Sequence, residues 1–245
     1  MSERNVWTRE ETLLAFELYC TIPSGKVTVH NSQIIELARV LDRTANSVKL
    51  KLQNFKSYDP SYIGNGRVGL AHGSKLDREI VNDFLNNSDS LIVEAEELKV
   101  KFALVEGEKY FNGHDTMVVQ KVRVGQTFFR NALLSAYNGC CCITGLNLPK
   151  LLRASHIKPW VCSNDVNEKT NPRNGLLLNT LHDSAFDSGY ISIDNEYRVV
   201  ISPSIIANES AKYLLKYAGC KIQLPDKFLP SKEFIDYHNK NIFIR

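Results

Sequence analysis

Apolar residues near the start of the chain recur at the spacing of α-helices. Leu14 and Leu18 lie one helical turn apart, and Thr8 with Glu11 forms a capping box ahead of them. A Pro-Ser-Gly run then ends this helix. A second helix fits residues 32–41, where apolar residues fall at positions i, i+3, i+4 and i+7.

A third helix can start at Thr44, directly after a turn at Asp42-Arg43. Two short helices joined by so tight a turn predict a helix-turn-helix, with the third helix as the one that reads DNA. Its exposed face is predicted to carry residue types that contact phosphates and base edges, namely Asn46, Lys49, Lys51, Gln53 and Lys56. A plain three-helix bundle with a solvated polar face is the alternative.

The pattern changes after residue 120. The predicted elements are a helix over about 126–137, strands over 151–157 and 176–178, a short helix over about 179–187, a hairpin over 190–201 and a helical tail. The predicted fold class is therefore α+β, a helical domain followed by a small domain of strands and helices.

Charge divides the chain into three segments. Residues 1–88 carry 11 Lys/Arg and 10 Asp/Glu, residues 89–120 carry 3 and 7, and residues 121–245 carry 16 and 10. The polar run Asn86–Ser90 marks a boundary. We therefore predict a helical DNA-binding domain at 1–88, an acidic connecting segment at 89–120 and a second domain at 121–245. The basic second domain favours an anionic partner such as nucleic acid.

Composition excludes several classes of protein. The 245 residues are 43% hydrophobic and 23% charged, as in an ordinary globular protein. No run approaches 18 uncharged apolar residues, and the charged first residues lack a secretory pattern. We expect a cytoplasmic protein with no membrane partner. The six cysteines have neither the pattern of a disulfide framework nor that of a structural zinc site.

Three residues suited to hydrolysis occur in order in the second domain. His156 ends a predicted strand, Asn174 ends a loop and His182 lies on the short helix. A neutral His can take a proton from water near physiological pH. An Asn can hold a loop, or the ring of a His, through side-chain hydrogen bonds. This order is that of an HNH motif, with residue types that can activate a water molecule and hold it in place.

The order and its flanking sequences resemble the HNH nuclease domain of bacterial restriction-type endonucleases. The resemblance runs from Val122 to Ile193 and rests on VRVGQTFFRNALLSAY, ITG, ASHIKPW, NPRNGLLLN and LHDSAFDSGYISID. The N-terminal helices are loosely similar to the DNA-binding segment fused to some of these nucleases. The resemblance implies a ββα-metal unit, in which two strands and a helix surround one divalent cation.

The resemblance also implies roles for single residues. His156 would activate water, and His182 would bind the cation, expected to be Mg²⁺ with Mn²⁺ or Ni²⁺ as alternatives. Ser155 stands where many HNH nucleases have an Asp or His ligand, so Asp187 and Asp183 are further candidate ligands.

Basic residues flank this motif and are expected to contact phosphates of the DNA, namely Arg153, Lys158 and Arg173. Strand alternation places Arg153 on the face of Ser155, opposite His156. Lys158 is therefore the better neighbour of the base.

The resemblance favours a restriction or defence endonuclease acting on double-stranded DNA. A homodimer would suit symmetric sites. The alternatives are a non-catalytic helix-turn-helix protein and a toxin-like nuclease for RNA or nonspecific nucleic acid. A Cys–His nucleophile built on Cys140–Cys142 is also open.

Overall fold

The computed structural model describes residues 6–59, 73–105 and 114–245, without the side chains of residues 114–120. The fold is α+β, as predicted. Its helices and strands are α1 (Arg9–Thr21), α2 (Ser32–Val40), α3 (Ala45–Lys56), α4 (Lys75–Lys101), α5 (His114–Ala136), β1 (Leu152–His156), β2 (Gly175–Asn179), α6 (Thr180–Asp187), β3 (Ile191–Ile193), β4 (Val199–Ile201), α7 (Lys212–Leu215) and α8 (Lys232–Asn241). Within the described ranges, no helix is long and apolar enough to cross a bilayer.

The first three helices begin at the residues that can cap them. The Thr8 side chain accepts the Glu11 N–H, and the Glu11 carboxylate accepts the Thr8 N–H, which completes the capping box. Asn31 and Thr44 cap α2 and α3 through their side-chain oxygens. Asp42, with φ of 50°, makes the turn between α2 and α3. This helix pair has the compact turn of a helix-turn-helix, and its contact with DNA stays a prediction.

Lys51 does not lie on the exposed face of α3, and that expectation was wrong. Its side chain is 5% exposed, and Nζ donates to Oδ1 of the buried Asp77 at 2.6 Å. Spacing along α3 could not reveal this pair, because Asp77 lies 26 residues further along the chain. The other predicted DNA-contacting residues of α3 are exposed or half-buried: Asn46, Lys49, Gln53 and Lys56.

One helix, α4, runs through the predicted boundary at Asn86–Ser90. It is interrupted only at Asn87, where φ is −148° and ψ is 37°. The helix continues because Phe84 and Leu91, on either side of the interruption, pack into the same hydrophobic core. The predicted boundary thus falls inside a helix. Residues 106–113 of the predicted connecting segment lie outside the described residues, and the three-part division stays a prediction.

Helix α5 takes part in two hydrophobic cores. The first core is built mainly by α1 to α4, and Phe128 of α5 and Phe228 also lie in it. The second core contains Phe129 of α5 together with Leu177 of β2 and Phe186 of α6. Neighbouring residues of α5 therefore face different cores, and the helix is the wall that they share.

A buried lysine attaches the segment before α8 to the first helix. Lys227 is 1% exposed, and its Nζ donates to the carbonyl oxygens of Tyr19 and Ile22 and to Ser135 Oγ. The next residue, Phe228, donates its N–H to a carboxylate oxygen of Asp59 at 3.1 Å. Since Tyr19 and Ile22 lie at the end of α1, the ammonium group supplies donors to carbonyls that a helix end leaves unpaired.

Strands β1 and β2 pair antiparallel, and α6 follows β2 directly. The register places His156 opposite Gly175 and Ser155 opposite Leu176. Asn179, at the end of β2, caps α6 by accepting the His182 N–H. These two strands and one helix are the ββα unit predicted from the sequence. β3 and β4 form a second antiparallel pair.

Candidate active site

The ring of His156 is held on three sides at the end of β1. It stacks on Phe129, with centroids 3.9 Å and planes 10° apart, and meets Trp160 edge-on at 5.5 Å. Its Nε2 lies 2.9 Å from the Lys169 carbonyl oxygen. Because a carbonyl oxygen only accepts, the ring proton is on Nε2. Burial lowers the pKa of His156, so at neutral pH the ring is uncharged and Nδ1 keeps its lone pair.

Asn174 orders the loop that follows β1. The residue is fully buried, and its Oδ1 accepts the Lys158 N–H at 2.8 Å. Its Nδ2 donates to the carbonyl oxygens of Lys158 and Glu168 and to Ser163 Oγ. These contacts are with the loop, so Asn174 reaches His156 through the loop and the Lys169 carbonyl.

Ser155 and two carboxylates meet on the opposite face of β1. Asp183 and Asp187 lie one turn apart on α6, and the Ser155 hydroxyl is close enough to hold the pKa of both down. Burial is the larger effect and raises both pKa values, that of Asp187 to about 6 with a further contribution from the charge of Asp183.

The hydroxyl of Ser155 interacts with the two carboxylates without a hydrogen bond of normal geometry to either. The residue is 4% exposed, so water does not cover its Oγ. Buried polar atoms in folded proteins nearly always have a partner from the protein, from water or from an ion. One further polar species beside Ser155 and the two carboxylates would satisfy this oxygen.

The basic side chains near the motif are held in different ways. The guanidinium of Arg153 donates to the carbonyl oxygens of Lys150 and Leu152, and its charge also lowers the pKa of Asp183. Lys158 instead pairs with Glu168, with 2.7 Å between Nζ and Oε2. Arg153 is thus held at the start of β1, whereas Lys158 belongs to the loop beside His156.

Arg173 lies at the contact with the helical core. It lines a small cavity together with Asp59 and Phe228, and its charge lowers the pKa of Tyr197. Its contact with a phosphate of the DNA stays a prediction.

His182 is held by its own helix cap. Asn179 Oδ1 accepts both the His182 N–H and the ring Nδ1–H at 3.0 Å, so Nε2 is the unprotonated nitrogen. Nε2 is buried without a partner, and the ring meets Tyr217 edge-on at 5.2 Å. Burial, and then the charge of Lys216, lowers the pKa of His182.

His182 and the carboxylates do not form one set of ligands. Over the described side chains, those of residues 6–59, 73–105 and 121–245, no three His, Cys, Asp or Glu lie together as a group that could hold a metal ion. The pairing of His182 with Asp187, expected from the sequence, stays a prediction. The Ser155 hydroxyl lies close to the carboxylates of Asp183 and Asp187, and both carboxylates interact with it.

Sequence reasoning missed several residues of this site. Phe129 carries a weak signal, since it is one of two adjacent aromatic residues in an apolar helix. Lys169 carries none, because its backbone carbonyl makes the contact with His156. Lys216 lies 34 residues after His182 and has no motif to mark it.

A comparison with known protein families agrees with this geometry. Residues 141–194 match the family model described as HNH endonuclease. No curated protein matches the chain. The matched segment contains β1, β2, α6 and β3, and it includes His156, Asn174 and His182 in the predicted order. The resemblance is confirmed for this segment, and the chain contains an HNH endonuclease domain.

Proposed function

We propose that the chain is a divalent-metal-dependent endonuclease that hydrolyses phosphodiester bonds of double-stranded DNA. The observation that carries this proposal is the state of the His156 ring. Its Nε2–H is bound by the Lys169 carbonyl, and burial lowers its pKa. A ring held in this tautomer can accept a proton on Nδ1 from an attacking water at neutral pH.

A cation site made by Asp183, Asp187 and Ser155 is the second part of the proposal. Mg²⁺ prefers oxygen ligands, and it usually binds one or two carboxylates while keeping several waters. The buried Oγ of Ser155, which makes no hydrogen bond of normal geometry, fits this use. A bound divalent cation would stabilise the charge that develops on the phosphate and on the leaving oxygen. Mn²⁺ and Ni²⁺ are the alternatives to Mg²⁺.

The position of each residue around the site then suggests its role in hydrolysis or in DNA binding. His156 removes the proton from water, while Phe129 and the Lys169 carbonyl keep its ring from rotating. Arg153 lies beside the carboxylates and would bind a phosphate of the substrate strand. Helix α3 would contact DNA outside the cleaved bond.

Cleavage of plasmid DNA tests the activity. We expect cutting with Mg²⁺, Mn²⁺ or Ni²⁺ and none with EDTA. His156→Ala should lower kcat by about 10²–10⁴-fold, the usual contribution of a general base. His30→Ala changes an exposed His in the helical part and is the matched control. Wild-type cleavage by H156A would remove the base assignment, and failure to cut any methylated or unmethylated DNA would contradict the proposal.

Calorimetric titration with Mn²⁺ separates the two candidate cation sites. We expect Asp187→Asn and Asp183→Asn to weaken binding by tenfold or more, since each removes one of about two charged ligands. His182→Gln should bind as wild type does. Asp83→Asn, on the exposed side of α4, is the control for a lost carboxylate. If H182Q alone abolishes binding, the cation belongs at His182.

A panel of substrates tests the biological role. A restriction or defence endonuclease should distinguish modified from unmodified duplex DNA, and a helical module followed by an HNH endonuclease domain supports this role. Equal or faster cleavage of RNA would favour the toxin-like alternative. A homodimer would present two active sites to a symmetric duplex, and sedimentation of the protein with and without DNA tests that state.

A further inference from the structure

The interruption of α4 is filled by the loop that carries Lys169. In a regular helix the Asp89 N–H would donate to the Leu85 carbonyl four residues earlier. Here the Asp89 N–H donates to the Val166 carbonyl at 3.1 Å, and the Leu85 carbonyl accepts from Asn167 Nδ2 at 3.4 Å. Val166 and Asn167 of the loop thus bind the N–H and the carbonyl that would otherwise have paired with each other inside the helix. Insertion into the hydrogen-bond ladder is a known cause of a helix kink.

The carboxylate of Asp89 makes a second attachment to the same loop. Its Oδ1 accepts the Thr170 N–H at 2.9 Å and the Thr170 hydroxyl at 2.5 Å. Hydrogen bonds to a charged acceptor are about twice as strong as those between neutral groups. Thr170 is also packed from the other side, because its methyl group lies 2.9 Å from where a Cβ on Gly125 would be. Thr170 is therefore fixed between α4 and α5.

Thr170 directly follows the residue that binds the His156 ring. The Lys169 carbonyl accepts from Nε2 at 2.9 Å and so decides which ring nitrogen carries the proton. A shift of the loop at Thr170 would move this carbonyl. The chain of contacts from α4 to the ring then has three links: Asp89 to Thr170, Thr170 to Lys169 through the backbone, and Lys169 to His156.

We propose that Asp89 is a positioning residue for His156, acting from outside the HNH segment through Thr170 and the Lys169 carbonyl. The inference rests on the proposed function only in naming His156 as the base. Helix α4 is joined to α1 by ion pairs, among them Arg9–Glu94, Lys99–Glu17 and Lys101–Glu10. The helical part of the chain therefore sets the orientation of the base as well as supplying a surface for DNA.

Nitrogen-15 NMR of the His rings in the metal-free, full-length protein tests the positioning without any assay of cleavage. The wild-type His156 ring should show the Nε2–H tautomer alone, with the signal assigned by His156→Gln. In Asp89→Ala the carbonyl loses its support, and we expect a mixture of tautomers. Asp83→Ala, on the same helix but exposed, should keep the wild-type pattern.

Kinetics supply the second readout. Asp89→Ala should lower kcat by about 10–100-fold with KM changed less than about threefold, because loss of geometry at the base costs rate and not DNA affinity. Thr170→Val removes only the hydroxyl donor and should lie between wild type and D89A. Thr170→Ser keeps both donors and loses only the methyl group against Gly125, so it should lie closer to wild type than T170V does. T170V serves for the test if D89A does not fold.

The outcomes separate the two proposals. An unchanged His156 tautomer in folded D89A, or in T170V where D89A does not fold, would overturn the positioning role, whether or not the protein cuts DNA. A mixed tautomer in D89A, with wild-type protein that cuts no nucleic acid, would support the positioning role and contradict the proposed function. A loss of kcat in D89A with an unchanged ring spectrum would also overturn the proposal, since the effect would then bypass His156.

Discussion

The buried amide of Asn174 joins the two ends of the loop between β1 and β2. One oxygen and one nitrogen connect it to residues 158, 163 and 168. A side chain with this many partners leaves several groups unsatisfied when it is removed, and each buried unsatisfied group costs about 1–3 kcal/mol. At the scale of one residue, loop order and active-site geometry therefore depend on the same side chain.

Asn174→Ala should lower the free energy of unfolding by about 2–4 kcal/mol. Asn174→Asp keeps the acceptor for the Lys158 N–H but sets a carboxylate against three acceptors, so it should be no more stable than the Ala variant. Urea unfolding followed by fluorescence measures both. Asn82→Ala, at an exposed position of α4, is the control and should change stability by less than about 0.5 kcal/mol. Equal stability of N174A and wild type would show that the loop does not need this amide.

The raised pKa of Asp187 leads us to expect that cation affinity depends on pH. Its pKa is raised to about 6, so a cation competes with a proton for it below that pH. We expect Mn²⁺ affinity to rise from pH 5 to pH 7 and the thermal shift caused by Mn²⁺ to rise with it. An affinity that does not change over this range would exclude Asp187 as a ligand.

In the metal-free protein the raised pKa of Asp187 makes the folded state less stable as pH rises, whereas cation affinity becomes stronger over the same range. A carboxyl group whose pKa is higher folded than unfolded favours folding most when it is protonated. The contribution of Asp187 is therefore lost as pH rises from about 4 to about 6. In Asp187→Asn this part of the pH dependence should be absent from urea unfolding curves measured without metal.

At the scale of elements, the sequence predicts helices and strands well where apolar residues recur at a regular spacing or a capping residue marks the start of a helix. The capping box at Thr8 and the cap at Thr44 begin helices at the predicted residues, and the apolar runs become β1 and β2. The polar run Asn86–Ser90 does not end the helix, because the apolar residues beside it pack into one core over long range. The surroundings of His156 could not be predicted, since they depend on a backbone carbonyl and on a helix outside the motif.

The contact between α5 and β2 depends on the small size of Gly175. A Cβ at this position would lie 2.6 Å from Leu133 and 2.7 Å from the ring of Phe129. Gly175→Ala should therefore displace the ring that stacks on His156, lowering stability by about 1–3 kcal/mol, as overpacking usually does, and lowering kcat as well. Gly25→Ala, at a position with open space, is the control. Wild-type stability and rate in G175A would show that α5 adapts without moving Phe129.

On the scale of the whole molecule, Lys227 and Phe228 connect parts of the chain that are far apart in sequence. Lys227→Met should remove the ammonium donor to the carbonyls of Tyr19 and Ile22 and lower the free energy of unfolding by about 2–4 kcal/mol. We also expect loss of a single cooperative transition, because the segment links the helical part to α5. Lys221→Met, at an exposed position, is the control, and calorimetry of the two variants makes the comparison.

The position of Phe228 has a consequence for the order in which the chain can assemble during synthesis. The Phe228 ring lies in the core formed mainly by the first four helices. The amine of the neighbouring Lys227 donates to the carbonyl oxygen of Tyr19, 208 positions earlier in the chain. Contacts of such long separation form late, because a long loop must close before they stabilise anything. A nascent chain thus completes its first core only after the ribosome has passed the HNH segment, although most of that core is made first.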